Sequence, residues 1–242
     1  MQAMPRKIKQ RKELEQLSPF ACPSSKSRGR KIPEADCHVR TPFERDMGRI
    51  LYSVDFRRLR QKTQVFFDPR NDHICTRMEH VLYVNYIAGT IGKALNLNVD
   101  LIEAIALGHD IGHTPFGHTG ERELQACLDK HQAGFTFQHE LHSLRVVDLL
   151  AHRQQGVFGL NLSFEVRDGI VSHCGEKYNE FELSPNRKKR EEDLIEDATI
   201  HKPPATLEGC VVRMADKISY VGRDIEDASR AGLLGFDHLP LD

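Results

Sequence analysis

The stretch "DLIEAIALGHDIGHTPFGH", residues 100–118, decides the reading of this chain. Its first half is an apolar helix pattern, with Asp100 as the expected N-cap and Glu103 three residues on as its capping-box partner. Its second half crowds His109, His113 and His118 around Asp110. Imidazole changes charge near neutral pH and is a common metal ligand, so such a run is either a crowded polar turn or a site that holds a metal and moves protons. Pro115 and Gly117 interrupt the helix, which puts His113–His118 in a turn, with Thr119 expected to cap "ERELQACLDK" beyond it.

Adjacent helix positions differ by about 100°, so His109 and Asp110 can converge on one point only at the helix end. A neutral imidazole beside a carboxylate is a mixed ligand set for a divalent ion, but two groups do not hold a metal. Two more candidates stand elsewhere. His80 opens the helix "HVLYVNYIAGTIGKAL", where His80, Val84, Ile87, Ile91 and Leu95 recur at helical spacing. Asp216 interrupts an apolar stretch of "TLEGCVVRMADKISYVGRDIEDASRAGLL". Taken singly, each is more often a hydrogen-bonded core group or part of a solvated face. Together they form a His, His-Asp, Asp set.

The remaining pattern is helical. "HELHSLRVVDLLAHR" and "SFEVRDGIVSHC" read as helices, and the last helix carries Leu207, Val211, Met214, Ile218, Val221 and Ile225 as its expected core stripe. Asp216, Tyr220 and Asp224 fall at i, i+4 and i+8 on a separate row, which by itself marks only an amphipathic helix. No strand alternation of useful length and no repeat is present, so the expected class is an all-α bundle. Residues 1–40, with "PSSKSRGRKIPE", read as a mobile basic segment, and residues 41–242 as one domain with a polar excursion at about 182–204. Within that excursion the "RKKR" run at 187–190 reads as solvated. The chain of 242 residues is 39% hydrophobic with a formal net charge of -1, so it can bury a core and has no overall field for nucleic acid or anionic membrane. No run approaches the roughly eighteen apolar residues of a membrane span. The six cysteines are scattered without a C-x-x-C pair, and no leader pattern opens the chain; reduced thiols and a cytoplasmic setting are expected.

The set of one histidine, an HD doublet 29 residues later and a distant helical aspartate resembles the HD-domain metal-dependent phosphohydrolases. "RTPFERDMGRILYSVDFRRLRQKTQVF", "DHICTRMEH", "GHDIGHTPFGHTGE" and "VVRMADKISYVGRDIEDASRAGL", in that order over residues 40 to 235, resemble the deoxyguanosine triphosphate triphosphohydrolase branch of that superfamily. The resemblance implies an HD-domain helical bundle that converts a dNTP, dGTP foremost, to deoxynucleoside and triphosphate by attack of water at the α-phosphorus. It implies a divalent ion (Mg, Mn, Co, Fe, Ni or Zn) held by His80, His109, Asp110 and Asp216. His118 and Glu121 match the catalytic histidine and its acidic partner; His113 matches a phosphate contact, with a packing role as the alternative. Arg77, Lys217, Tyr220 and Asp224 match groups on phosphate, sugar and 3′ hydroxyl. Arg58 or Gln64 lies in a segment that relatives place over the nucleotide.

Two departures stand out. The chain reads His139-Glu140-Leu141-His142-Ser143 where the family carries an amide after the histidine, which weakens carry-over to His139 and sets a glutamate where it could repel phosphate. Relatives also continue with further helices beyond "RAGLLG". The resemblance further implies a homo-oligomer, possibly a hexamer, and a dNTP or single-stranded nucleic-acid effector. Two rivals remain open at this stage: an HD phosphohydrolase of another nucleotide, and a non-catalytic nucleotide or single-strand binding module.

Overall fold

The computed structural model describes residues 4–64, 74–131, 134, 136–175, 182–195, 201–230, 232 and 235, the side chains of residues 223, 224, 227 and 230 excepted. The chain is mostly helical: α1 (Pro5–Gln16), α2 (Pro42–Tyr52), α3 (Val54–Arg57), α4 (Arg77–Ala94), α5 (Val99–Gly108), α6 (Gly117–His131), α7 (His139–Arg145), α8 (Phe164–Val171) and α9 (Leu207–Arg230). A small antiparallel hairpin, β1 (His152–Gln154) with β2 (Val157–Phe158), follows α7, a minor exception to the all-α expectation.

The core is built around α5. Leu101, Ile102, Ala104, Ile105, Ala106 and Leu107 are all buried, so this helix is apolar on every side, and α2, α4, α8 and α9 pack around it. A helix hydrophobic all round is stable only at the centre of a bundle. Its N-cap is Asn98, which accepts from Leu101 N, and not Asp100 as the sequence pattern implied. Helix α6 likewise starts at Gly117, two residues before the expected cap Thr119. At the start of helix α2, Thr41 and Glu44 form a reciprocal capping box with Pro42 in the first turn.

One amphipathic reading is corrected. In α9 the expected core residues Ile218 and Val221 are 50% and 62% exposed, while Val212, Ala215, Asp216 and Ser219 are buried. In α4 the expected face holds: His80 and Val84 are buried and Ile87 and Ile91 pack against the core, while Leu95, just past the helix end, is exposed. The buried face of α9 is the one that carries Asp216, because that residue lines an internal site.

The N-terminal segment, expected to be mobile, is held against the body over residues 4–40. Glu208 accepts from Cys22 N at 2.9 Å and from Asn98 N at 3.1 Å, Glu165 accepts from Arg28 N at 2.7 Å, and Arg30 is ion-paired with the fully buried Asp46. The "RKKR" run is also more than a solvated patch: Lys189 is buried, 2.8 Å from Asp168 and donating to Ser172 Oγ at 2.5 Å. A basic run reads as solvated when the carboxylate that neutralises it lies elsewhere in the sequence. No helix among the described residues is long and apolar enough to cross a membrane.

Candidate metal centre

The site forms where α5 ends between α4 and α9. The Nδ1 of His109 lies 2.7 Å from Ala106 O; a carbonyl only accepts, so Nδ1 carries the proton and Nε2 presents its lone pair. That Nε2 is buried without a hydrogen-bond partner, as are Asp110 Oδ1 and His80 Nδ1. His80 and Asp216 reach the same place from α4 and α9. His80 Nε2 stands 2.9 Å from Asp216 Oδ1, and His109 Nε2 is 3.7 Å from both Asp216 Oδ1 and Asp110 Oδ2. Ligands bound at about 2.0–2.2 Å to one ion stand roughly 3–4 Å apart. His80, His109 and Asp110 each offer an atom within 4.8 Å of the others, and so do His109, His173 and Asp216. The four residues anticipated from sequence therefore converge, and their orphaned buried atoms fit a divalent ion.

Electrostatics favour ionised carboxylates here. Burial opposes ionisation of Asp110, but Arg77 and His109 outweigh it and hold the carboxyl well below the usual range. Asp216 is also held low, against burial, by His80 and His109. Arg77 is 1% exposed and ion-paired with Asp110, its place fixed by a bond from its own N to Lys62 O at 2.9 Å. Tyr220 packs its ring 4.9 Å from that of His80. Gln64 is buried, with both side-chain amide atoms unpartnered.

A second cluster adjoins the first across the turn. His118 Nδ1 is 3.1 Å from Glu121 Oε2, the pairing that the resemblance implied. Glu121 also accepts from His139 N at 2.9 Å and faces His139 Nδ1 at 3.3 Å, so one carboxylate holds two histidines. The His113 ring lies 4.3 Å from His139 and 5.3 Å from His118. Burial first, then Arg77, His139 and His118, pull the His113 imidazole down to about 2, against Asp110, so it is neutral. Burial opposes charge on His139, but Glu121, Glu140 and Asp110 raise it above its ordinary value. The local backbone is specialised. Gly117 has φ 57° and Phe116, at φ 64°, adopts a left-handed conformation unusual for a side-chain-bearing residue. A Cβ at Gly112 would lie 2.6 Å from the His142 carbonyl carbon, so only glycine lets α7 approach the turn.

Three groups escaped the sequence reading. His139 was discounted because Glu140 follows it, yet it is 4% exposed at the heart of the second cluster, and Glu140 turns back to within 3.4 Å of its Nδ1. His173 was not singled out. It is buried, its ring 4.9 Å from His109, and its Nδ1 donates to Ile170 O at 2.6 Å, leaving Nε2 toward the centre. The signal was a histidine directly after the apolar helix pattern in "GIVSHC". Lys62, half-buried beside Ile111 O, is drawn down to about 8 by burial, Arg58 and Arg77, against Asp110, and adds a cation to the rim. Not all anticipated residues join. Arg58 is exposed on a 3-10 turn, Lys217 is half-buried and has no hydrogen bond or ion pair to either cluster among the described residues, and the side chain of Asp224 lies outside the described residues.

A helical bundle that gathers His, His-Asp and Asp from three helices around one centre defines the class, and the HD domain family matches residues 77–221. The chain belongs to that family. It is 49% identical over 231 residues to a deoxyguanosinetriphosphate triphosphohydrolase-like protein of Desulfatibacillum aliphaticivorans, covering 96% of this chain and 59% of that protein. Proteins of the same description from Caldanaerobacter subterraneus subsp. tengcongensis and Thiobacillus denitrificans are 46% identical over 98% of this chain and 45% over 92%, covering 60% and 56% of their lengths. The chain thus spans about three fifths of the length of these curated relatives.

Proposed function

We propose that this chain carries the hydrolytic site of a metal-dependent dNTP triphosphohydrolase, with dGTP foremost among its substrates. The observation that carries the reading is the juxtaposition of two clusters: buried, unpartnered His109 Nε2 and Asp110 Oδ1 beside Asp216 and His80, and next to them a carboxylate holding two histidines. In this reading His80, His109, Asp110 and Asp216 hold the ion, with His173 adjoining. A bound divalent ion supplies Lewis-acid polarisation of a phosphate oxygen. Phosphoryl transfer otherwise depends on positioning and charge neutralisation. Arg77 and Lys62 bring cations to the phosphate chain, while Tyr220 and Gln64 border the sugar and base. Water attacks the α-phosphorus and the bond to the 5′ oxygen breaks; one proton leaves the water and one arrives on the 5′ oxygen. Glu121 holds His118 by Nδ1, so its Nε2 is the atom that exchanges that proton, and His113 stays neutral at the phosphate side.

Incubating the full chain with each dNTP and Mg²⁺, Mn²⁺ or Co²⁺, and reading products by phosphorus NMR, tests the proposal. Tripolyphosphate and deoxynucleoside are expected. Orthophosphate would move the chain to another branch of HD phosphohydrolases, and no turnover with any ion would favour a binding module.

A further inference from the structure

The cluster beside the metal centre has the donor set of a second metal site. His113, His118, His139 and Glu121 each offer one ligand atom, and these four atoms lie within 4.8 Å of one another. Glu121 stands 3.1 Å from His118 Nδ1 and 3.3 Å from His139 Nδ1, separations that suit neighbouring ligands on one tetrahedral ion. The three ring centroids are 4.3, 5.3 and 5.6 Å apart. None of the four residues belongs to the His80, His109, Asp110 and Asp216 set.

Two observations point to a cation here. His113 is 1% exposed, and its Nδ1 faces the Thr114 carbonyl at 3.4 Å, which puts the proton on Nδ1 and the lone pair on Nε2. That Nε2 is buried without a hydrogen-bond partner, a costly state for a polar atom unless a ligand completes it. Glu140, 6% exposed, sets a second carboxylate 3.4 Å from His139 Nδ1, so two negative groups share the cluster. Three imidazoles and a carboxylate suit zinc and its transition-metal neighbours, whereas magnesium keeps oxygen ligands and water. We propose that His113, His118, His139 and Glu121 bind a second metal ion, of the zinc class, apart from the ion of the HD set. His118, whose side chain is 58% exposed, gives that ion its way in. One consequence rests on the proposed hydrolytic reading: zinc occupies the imidazole lone pairs that exchange the proton and so switches turnover off.

The binding itself is read without turnover. The full chain, stripped with EDTA and dialysed at pH 7.5 in excess Mg²⁺, is titrated with Zn²⁺ for metal content and with Co²⁺ for its visible spectrum. Tetrahedral cobalt absorbs intensely and six-coordinate cobalt weakly. Two zinc ions per chain and an intense cobalt band are expected. His118→Ala should keep one ion and lose the intense band. Glu140→Gln should weaken the second ion by about tenfold, the scale of losing a group that supports a metal ligand, and leave the first unchanged. Absence of dNTP hydrolysis would leave these spectra as they are, so the two readings fail separately. One ion per chain in the wild type, which would leave a protonated imidazole as the cation, overturns the proposal. So does a His118→Ala chain that still takes two ions. A thiolate-to-cobalt charge-transfer band would seat the ion on His139, His173 and Cys174, and overturns it as well.

Discussion

Replacing Arg77 by methionine separates the two roles of the Asp110 carboxylate. Arg77 and Asp110 are each 1% exposed and ion-paired through Oδ2, and Asp110 Oδ1 has no hydrogen-bond partner. Removing one partner of a buried pair leaves an uncompensated charge, at a cost of about 3–5 kcal/mol. In a chain of 242 residues that corresponds to a fall in Tm of roughly 6–20 °C in EDTA. A divalent ion bound by Asp110 would supply the missing positive charge. The ion should also bind more tightly once the competing guanidinium is gone; a tenfold gain in affinity is about 1.4 kcal/mol. Thermal unfolding of both proteins in EDTA and in saturating Mn²⁺ should therefore show a large gap that narrows by about 1 kcal/mol or more with the ion. A gap below about 1 kcal/mol in EDTA would refute the buried pair. A gap untouched by the ion would refute Asp110 as a ligand.

Three further outcomes follow from the same geometry. Glu121→Gln keeps the shape of the second cluster but removes the charge that holds His118 and His139, so steady-state turnover should fall by about 10²–10⁴ while the thermal midpoint stays near wild type. Asp100 is raised to about 6 by burial and by Glu44, Glu13 and Glu103, so its native form binds protons that the unfolded chain releases; stability is lost as pH rises from about 4 to about 6, by about 1–2 kcal/mol once solvent screening of this partly exposed group is allowed for. Urea unfolding of Asp100→Asn should show that pH dependence removed and a gain at pH 7, and a variant with the wild-type slope would contradict the assignment. Gly112→Ala forces a methyl onto the backbone of His142 and Ser143 and should cost at least about 1–3 kcal/mol in denaturant unfolding, with activity falling as the turn shifts.

Which parts of this protein could be read in advance depended on whether a signal was local. The doublet His109-Asp110 at the end of an apolar helix and the His118–Glu121 pair that the resemblance implied involve neighbours in sequence, and each is found in contact. His80 and Asp216 were legible as candidates from their places in apolar helices, and the resemblance of the joint pattern to a known family tied them to one centre; their 2.9 Å contact spans 136 residues, and no periodicity encodes it. His139, His173, Lys62 and the buried Lys189 were missed or discounted for that same reason. Each acquires its meaning from a partner on another element: Glu121 for His139, His109 for His173, the Asp110 region for Lys62, Asp168 for Lys189. The buried face of α9 was misjudged because hydrophobic periodicity assumes that water lies on the polar side. Here the side of α9 that carries Asp216 faces an internal site, and Ile218 and Val221 are left outside. By itself, then, the amino-acid order determined the helices, the doublet and the turn, since backbone propensity and near-neighbour bonding act over a few residues. Which side chains share a centre was decided by packing around α5, because side chains far apart in sequence meet only where the helices that carry them bury their surfaces against one another.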